Sequence, residues 1–254
     1  MSLYEIYFSP TGGTKKVASI LSNVWNCDVK EVDLLKNEPA AGLVTFTAED
    51  ICIVAVPSYG GRVPSVAVDR LKEMKGNGAK AILTVVYGNS HIDDTMMELS
   101  DVLTECGFTC VAGIEAVAEH SLMHQFGAGR PDASDKAELE EFAGQIKEML
   151  EKGEVNPKLD IPGKHEYREY NGVPLKPAAN GKCISCGLCA KECPVNAIPT
   201  ENPKITDKEK CISCMHCAAV CPKNARKLSK LMVFVASQKM KKGCSDRKEN
   251  KLYI

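Results

Sequence analysis

The most specific chemistry in the chain sits in two cysteine runs, Cys183-Ile-Ser-Cys186-Gly-Leu-Cys189-Ala-Lys-Glu-Cys193-Pro194 and Cys211-Ile-Ser-Cys214-Met-His-Cys217-Ala-Ala-Val-Cys221-Pro222. Each is spaced C-x2-C-x2-C-x3-C-P, so that three thiolates on one tight loop converge on an iron-sulfur cubane and the fourth serves the other cluster. By that rule Cys183, Cys186, Cys189 and Cys221 hold one [4Fe-4S] cluster, and Cys211, Cys214, Cys217 and Cys193 hold the second. The two sites interlock, so losing one ligand damages both halves. At a period of 28, residues 183–198 and 211–226 share ten identities in sixteen, the mark of an internal repeat. Disulfides would need an oxidising compartment, and zinc sites space their ligand pairs more widely. Two electron-carrying clusters therefore fit the spacing best, and ligation would supply most of the folding energy of so small a unit.

A second constellation lies near the amino terminus. Ser9-Pro10-Thr11-Gly12-Gly13-Thr14-Lys15 follows an apolar run and precedes a helical pattern. Small residues let the backbone curl round an anion, hydroxyls donate, and the helix N-terminus adds amides and positive dipole. The segment reads as a phosphate cradle, although it is neither G-x-G-x-x-G nor a Walker loop. Two further loops, Pro57-Ser58-Tyr59-Gly60-Gly61 and Tyr87-Gly88-Asn89-Ser90, also follow apolar runs. Aromatic faces, glycines and amide or hydroxyl donors are what an isoalloxazine ring needs around it. A plain turn or a core-capping tyrosine explains each loop alone; three in register point to one ligand.

These loops must be positioned by regular elements. Residues 3–150 alternate apolar runs with helical patterns, as in a parallel sheet flanked by helices. Strands are expected at 3–8, 28–34, 50–56, 79–87 and 109–117, with helices near 14–24, 66–74, 93–106 and 134–150. Residues 151–181, with Pro157, Pro162, Pro174 and Pro177, read as a linker. Residues 182–226 carry the cysteine runs. Residues 227–254 read as a basic tail, whose apolar stretch around Leu231, Met232, Val233, Phe234 and Val235 is expected to pack on its own protein. The segment 119–132 follows the last strand, and either His120 or Arg130 is a candidate to place positive charge near a reduced flavin.

The cysteine unit resembles bacterial two-cluster ferredoxins and is complete at all eight ligands. The amino-terminal part resembles flavodoxins, through the match of Ser9 to Thr14 with their S/T-x-T-G-x-T loop. Together they are similar to flavodoxin-ferredoxin fusion proteins of anaerobic microbes. The resemblance implies an α/β chain: a flavodoxin-like five-stranded parallel sheet of order 2-1-3-4-5 over residues 1–150, and a small α+β two-cluster ferredoxin domain over 182–226. It also implies FMN beside the two [4Fe-4S] clusters, with Ser9, Thr11, Gly12, Gly13 and Thr14 at the phosphate. Pro57, Ser58, Tyr59 and Gly60, with Tyr87, Gly88 and Asn89, would then flank the ring.

Composition narrows the function classes. The 254 residues are 44% hydrophobic with a single Trp, enough for two domains. No apolar run reaches membrane-spanning length and the first residues lack a secretory pattern, so a soluble, cytoplasmic protein is expected. No motif supports nucleic-acid binding. Beyond the eight ligands stand Cys27, Cys52, Cys106, Cys110 and Cys244, read as structural. Residues 1–181 hold 17 Lys and Arg against 27 Asp and Glu, and residues 182–254 hold 15 against 6. Opposite charge favours docking of the halves and offers either face to a redox partner protein. The expectation is an electron carrier relaying between FMN, the clusters and that partner. The alternatives are a flavin-dependent reductase of a small molecule, which would need an open pocket beside Tyr59 and Tyr87, and a redox-sensing interaction module.

Overall fold

The computed structural model describes residues 1–36, 44–156 and 158–254; Pro157 lies outside them. Five parallel strands form the centre: β1 (Leu3–Tyr7), β2 (Val29–Asp33), β3 (Ile51–Pro57), β4 (Lys80–Tyr87) and β5 (Thr109–Val117). They lie in the order β2-β1-β3-β4-β5, the flavodoxin-type order. β3 is apolar along its length because both faces of the sheet are covered. Cys52, Val54 and Val56 enter one core, and Ile51, Ile53 and Ala55 enter the other. Cys52 acts there as a small hydrophobe, its thiol pushed up to about 12 by burial.

The helices are laid down as the periodicity predicts. α1 (Gly13–Ser22) and α4 (Ala133–Lys152) cover one face, and α2 (Ser65–Leu71) and α3 (Thr95–Glu105) cover the other. On α4, Leu139, Ala143 and Ile146 recur at helical spacing and are buried. The Asp132 carboxylate caps its start, accepting from the Ser134 and Asp135 amides, and Gly153 closes its end with φ +71°.

The cysteine unit contains α5 (Leu188–Lys191) and α6 (His216–Ala219), and its two ends are tied by β6 (Ala178–Ala179) pairing with β7 (Arg226–Lys227). The repeat persists in the backbone: Ser185 and Ser213, Gly187 and Met215, and Asn196 and Asn224 all adopt positive φ. Each fourth cysteine also accepts an amide four residues on, Cys193 from Ala197 at 3.2 Å and Cys221 from Ala225 at 3.3 Å.

Residues 227–254 are more than a basic tail. They form α7 (Lys230–Cys244) and β8 (Lys251–Tyr253). β8 joins the large sheet antiparallel to β5, with Glu115 facing Lys251 and Gly113 facing Tyr253. Glu115 is buried in β5, and Lys251 Nζ and Tyr253 Oη donate to it at 3.3 and 3.1 Å. The sixth strand covers a sheet edge and satisfies a carboxylate that β5 alone would leave stranded. The chain thus leaves the sheet unit, forms the cysteine unit and returns.

The linker also rests on the sheet unit. Asp94 accepts from the Lys164 and Arg168 amides at 3.1 and 2.8 Å, and Arg62 donates to the Arg168 carbonyl at 2.8 Å. The cysteine unit is docked rather than extended away. Val195 and Ile212 pack on the first core, Arg70 donates to the Pro194 carbonyl at 3.1 Å, and His216 Nδ1 lies 2.7 Å from the Pro10 carbonyl.

Candidate functional site

At the carboxyl ends of β1, β3 and β4 the loops surround a cavity of about 820 Å³, at the upper end of the range for small-molecule and cofactor sites. Thr11, Gly13 and Thr14 of the first loop line it. Ser9 and Gly12 lie behind them. Ser9 Oγ accepts the Lys15 amide at 2.8 Å and pins the loop, while Gly12 turns the chain at φ +91°, a conformation suited to glycine. Gly13 and Thr14 begin α1, where amides have no intrahelical carbonyl to bond. The loop lysines are engaged elsewhere, Lys15 with Glu31 at 2.6 Å and Lys16 with the Pro131 carbonyl at 2.7 Å. An anion here would be held by amides, hydroxyls and the helix dipole.

The second loop is a tight turn. Tyr59 and Arg62 exchange backbone hydrogen bonds at 2.9 and 3.3 Å, with Gly60 and Gly61 between them at positive φ. Pro57, Ser58, Tyr59 and Gly60 all line the cavity. Arg62 holds the turn from behind in a two-pronged pair with the buried Glu98 carboxylate, at 2.8 and 2.7 Å. Burial pushes the Tyr59 phenol well above its ordinary range, so it stays neutral. Tyr170, from the linker, stands over Gly60, where an added Cβ would collide with its ring.

Tyr87 and Gly88 of the third loop line the cavity, and Asn89 does not. Asn89 is buried, and its amide donates to the Cys244 and Asp246 carbonyls at 2.6 and 2.8 Å and accepts from the Lys248 amide at 3.1 Å. Its amide clamps the carboxyl-terminal segment instead of facing a ring. His120 and Arg130 also correct the expectation of a positive charge. His120 lies in the cavity wall against Gly88, but burial lowers its pKa to about 4, leaving it neutral at pH 7. Arg130 is buried away from the cavity, in a two-pronged pair with Asp135 and donating to the Lys248 carbonyl at 2.6 Å.

The sequence did not reveal what closes the cavity. Leu231, Met232, Val235 and Lys239 of α7 form one wall, spaced as one helical face; Leu231 is 71% exposed because it looks into open space. The i, i+1, i+4 apolar spacing was visible in the sequence, but its destination was not. Ile212 and Ser213, between Cys211 and Cys214, form another part of the wall. The second cysteine loop and the phosphate loop therefore border one cavity.

None of the eight motif cysteines is held in a disulfide. Cys183, Cys186, Cys189 and Cys221 line one small cavity between the two loops, the donor set a cubane of the first type requires. Cys193, Cys214 and Cys217 are buried, and Cys211 packs beside them. The buried Arg226 guanidinium donates to Cys189 Sγ at 3.3 Å, to Thr206 Oγ1 at 2.6 Å and to the Pro203 and Ile205 carbonyls. A donor on a ligand sulfur tunes the group that sulfur holds.

Residues 182–225 match the 4Fe-4S dicluster domain family. No curated protein matches the chain. Among solved structures, a flavodoxin of Streptococcus pneumoniae TIGR4 is 20% identical over 58% of this chain and 99% of its own, with a TM-score of 0.43. The oxidised flavodoxin 1 of Bacillus cereus is 17% identical over 58% of this chain and 98% of its own, TM-score 0.42. Rubredoxin oxygen:oxidoreductase of Desulfovibrio gigas is 18% identical over 61% of this chain, TM-score 0.44, with 37% of that enzyme covered. The fold assignment rests on strand order. The chain joins a flavodoxin-like parallel sheet of order 2-1-3-4-5 to a 4Fe-4S dicluster domain.

Proposed function

We propose that this is an electron-transfer protein that binds FMN in the large cavity and carries two [4Fe-4S] clusters, exchanging electrons with a redox partner protein. The observation that carries the proposal is the shared wall: Ile212 and Ser213 of the second cysteine loop border the cavity that Thr11, Gly13 and Thr14 also line. Residues 1–150 would hold the flavin and 182–226 the clusters, while 151–181 and 227–254 hold the two units together. A flavin accepts two electrons and releases them singly, and a cubane carries one.

Within that function each loop has a task. The Gly13 and Thr14 amides and the Thr11 and Thr14 hydroxyls bind the phosphate, with Ser9 and Gly12 shaping the loop. Tyr59 and Tyr87 flank the ring, Pro57, Ser58, Gly60 and Gly88 let the backbone approach it, and α7 lines its outer side. The ligand sets are Cys183, Cys186, Cys189 and Cys221, and Cys211, Cys214, Cys217 and Cys193. So many thiols suit a reducing, cytoplasmic and anaerobic setting.

One observation favours a second function beside this one. The cavity continues past the loops onto the apolar face of α7, the kind of open pocket beside Tyr59 and Tyr87 that a small-molecule reductase needs. The test is an anaerobic reductive titration of reconstituted protein, with released FMN, iron and sulfide assayed alongside. One FMN with two reducible clusters in electronic equilibrium supports the relay; clusters without flavin reject it. Turnover with an added organic acceptor, without a protein partner, would favour the reductase.

A further inference from the structure

We propose that the two cysteine sets are unequal stations. The second set is the internal one, facing the flavin cavity, and the first is the port where an acidic one-electron carrier protein docks. The proposal rests on the electron-transfer function above and assigns the partner's chemistry and its place of contact.

The internal repeat supplies the comparison, because residues 28 apart occupy equivalent positions on the two loops. On the second set, Ile212 packs on the first core and borders the cavity. Val195 packs on the same core, and His216 meets the Pro10 carbonyl at 2.7 Å. The sheet unit thus covers this face of the second set. The equivalent residues of the first set are Ile184, Lys223 and Leu188, and all three are exposed. Ile184 is 59% exposed, Leu188 is 36% exposed and Lys223 is exposed. All three line the small cavity formed by Cys183, Cys186, Cys189 and Cys221, and Cys186 is itself exposed.

The first set therefore presents the face that the second set buries. Ile184 keeps the residue type of Ile212 although it stands in water, which suits a face covered only part of the time. What distinguishes it is charge. Lys223 stands where the second set has the docked Val195, while the exposed Lys182 before Cys183 has its repeat counterpart in Lys210 before Cys211. An apolar centre rimmed by cations fits a partner whose redox centre lies within an acidic rim, because complementary charge steers the encounter and fixes the register. Each encounter moves one electron: the carrier is oxidised by one as the first set's cluster is reduced by one, or the reverse. No other co-reactant is required.

The probe is a small acidic ferredoxin titrated against the full, reconstituted chain, with Kd read at low and at higher ionic strength. Lys182→Glu/Lys223→Glu should weaken binding about tenfold or more and remove most of its salt dependence. Ile184→Ser should weaken binding at every ionic strength. Lys241→Glu/Lys242→Glu on α7, with the same change in net charge, should leave Kd unchanged. Iron and FMN contents should match the unmodified chain in all three variants. No binding by the unmodified chain, or equal loss in the α7 variant, overturns the port. Port variants that bind normally on a protein containing FMN and both clusters overturn the port alone. Intact docking on a protein that never takes up flavin overturns the proposed function alone.

Discussion

Replacing His120 by asparagine should flatten the acid dependence of stability. Asparagine keeps an acceptor for the Leu122 amide, which now bonds to His120 Nδ1 at 3.2 Å. The imidazole is held between the Gly88 backbone and the Phe126 ring, 6.4 Å between centroids, and burial lowers its pKa from 6.5 to about 4. His124 adds a smaller push in the same direction. Because the folded pKa is the lower one, the unfolded chain binds more protons between these values, and stability is lost as the pH is lowered through that window. From pH 7 to pH 5 the His120 contribution is a loss of about 2 kcal/mol, continuing until about pH 4 and absent above pH 7. Anaerobic urea unfolding of both proteins at the two pH values measures it: the wild type should lose about 2 kcal/mol more than His120→Asn. Equal losses, or a His120 ring proton that titrates near its ordinary pKa by NMR, would refute the assignment of a half-buried neutral imidazole.

Other perturbations test separate parts of the site. In Gly88→Ala the new Cβ would stand 2.7 Å from His120 Cβ and 2.8 Å from its Cα, so the cavity wall must shift. A stability cost of about 1–3 kcal/mol and weaker FMN binding are expected, read by unfolding and by quenching of flavin fluorescence. Arg226→Leu strips donors from the buried Pro203 carbonyl, from the carbonyl of the exposed Ile205 and from Cys189 Sγ, at about 1–3 kcal/mol for the stranded Pro203 carbonyl. Purified protein should then retain less iron than wild type, and full iron occupancy would count against a structural role for this guanidinium. Deleting residues 245–254 removes β8, the Lys251 and Tyr253 donors to Glu115, and the Asp246 and Lys248 partners of Asn89. Amide exchange should accelerate on β5 and not on β2, and equal protection on β5 would mean that β8 is dispensable.

The parts of this protein legible in its sequence were those set by local spacing. Three of the four thiolates of each cubane must sit on one tight loop with two residues between them, and the fourth follows in the other run, so the cysteine runs declared their chemistry without a fold. The five parallel strands and four large helices were equally visible, since burial on both faces leaves continuous apolar runs and amphipathic helices leave a period of 3.6. The Ser9 to Thr14 loop was readable because it joins one such strand to one such helix. What tertiary structure alone decided is long-range. β8 pairs with β5 across more than a hundred residues, and three residues bounded by charges carry no periodic signal of their own. Asn89 resembled a ring contact by its place after β4, yet the returning chain offered its amide the Cys244 and Asp246 carbonyls. Arg130 resembled a cation for a flavin, but α4 brought it Asp135. The near-identical cysteine loops differ in role only because one is pressed against the cavity and the other faces water. Docking is a property of surfaces that are distant in the chain, and the spacing within each loop is the same in both.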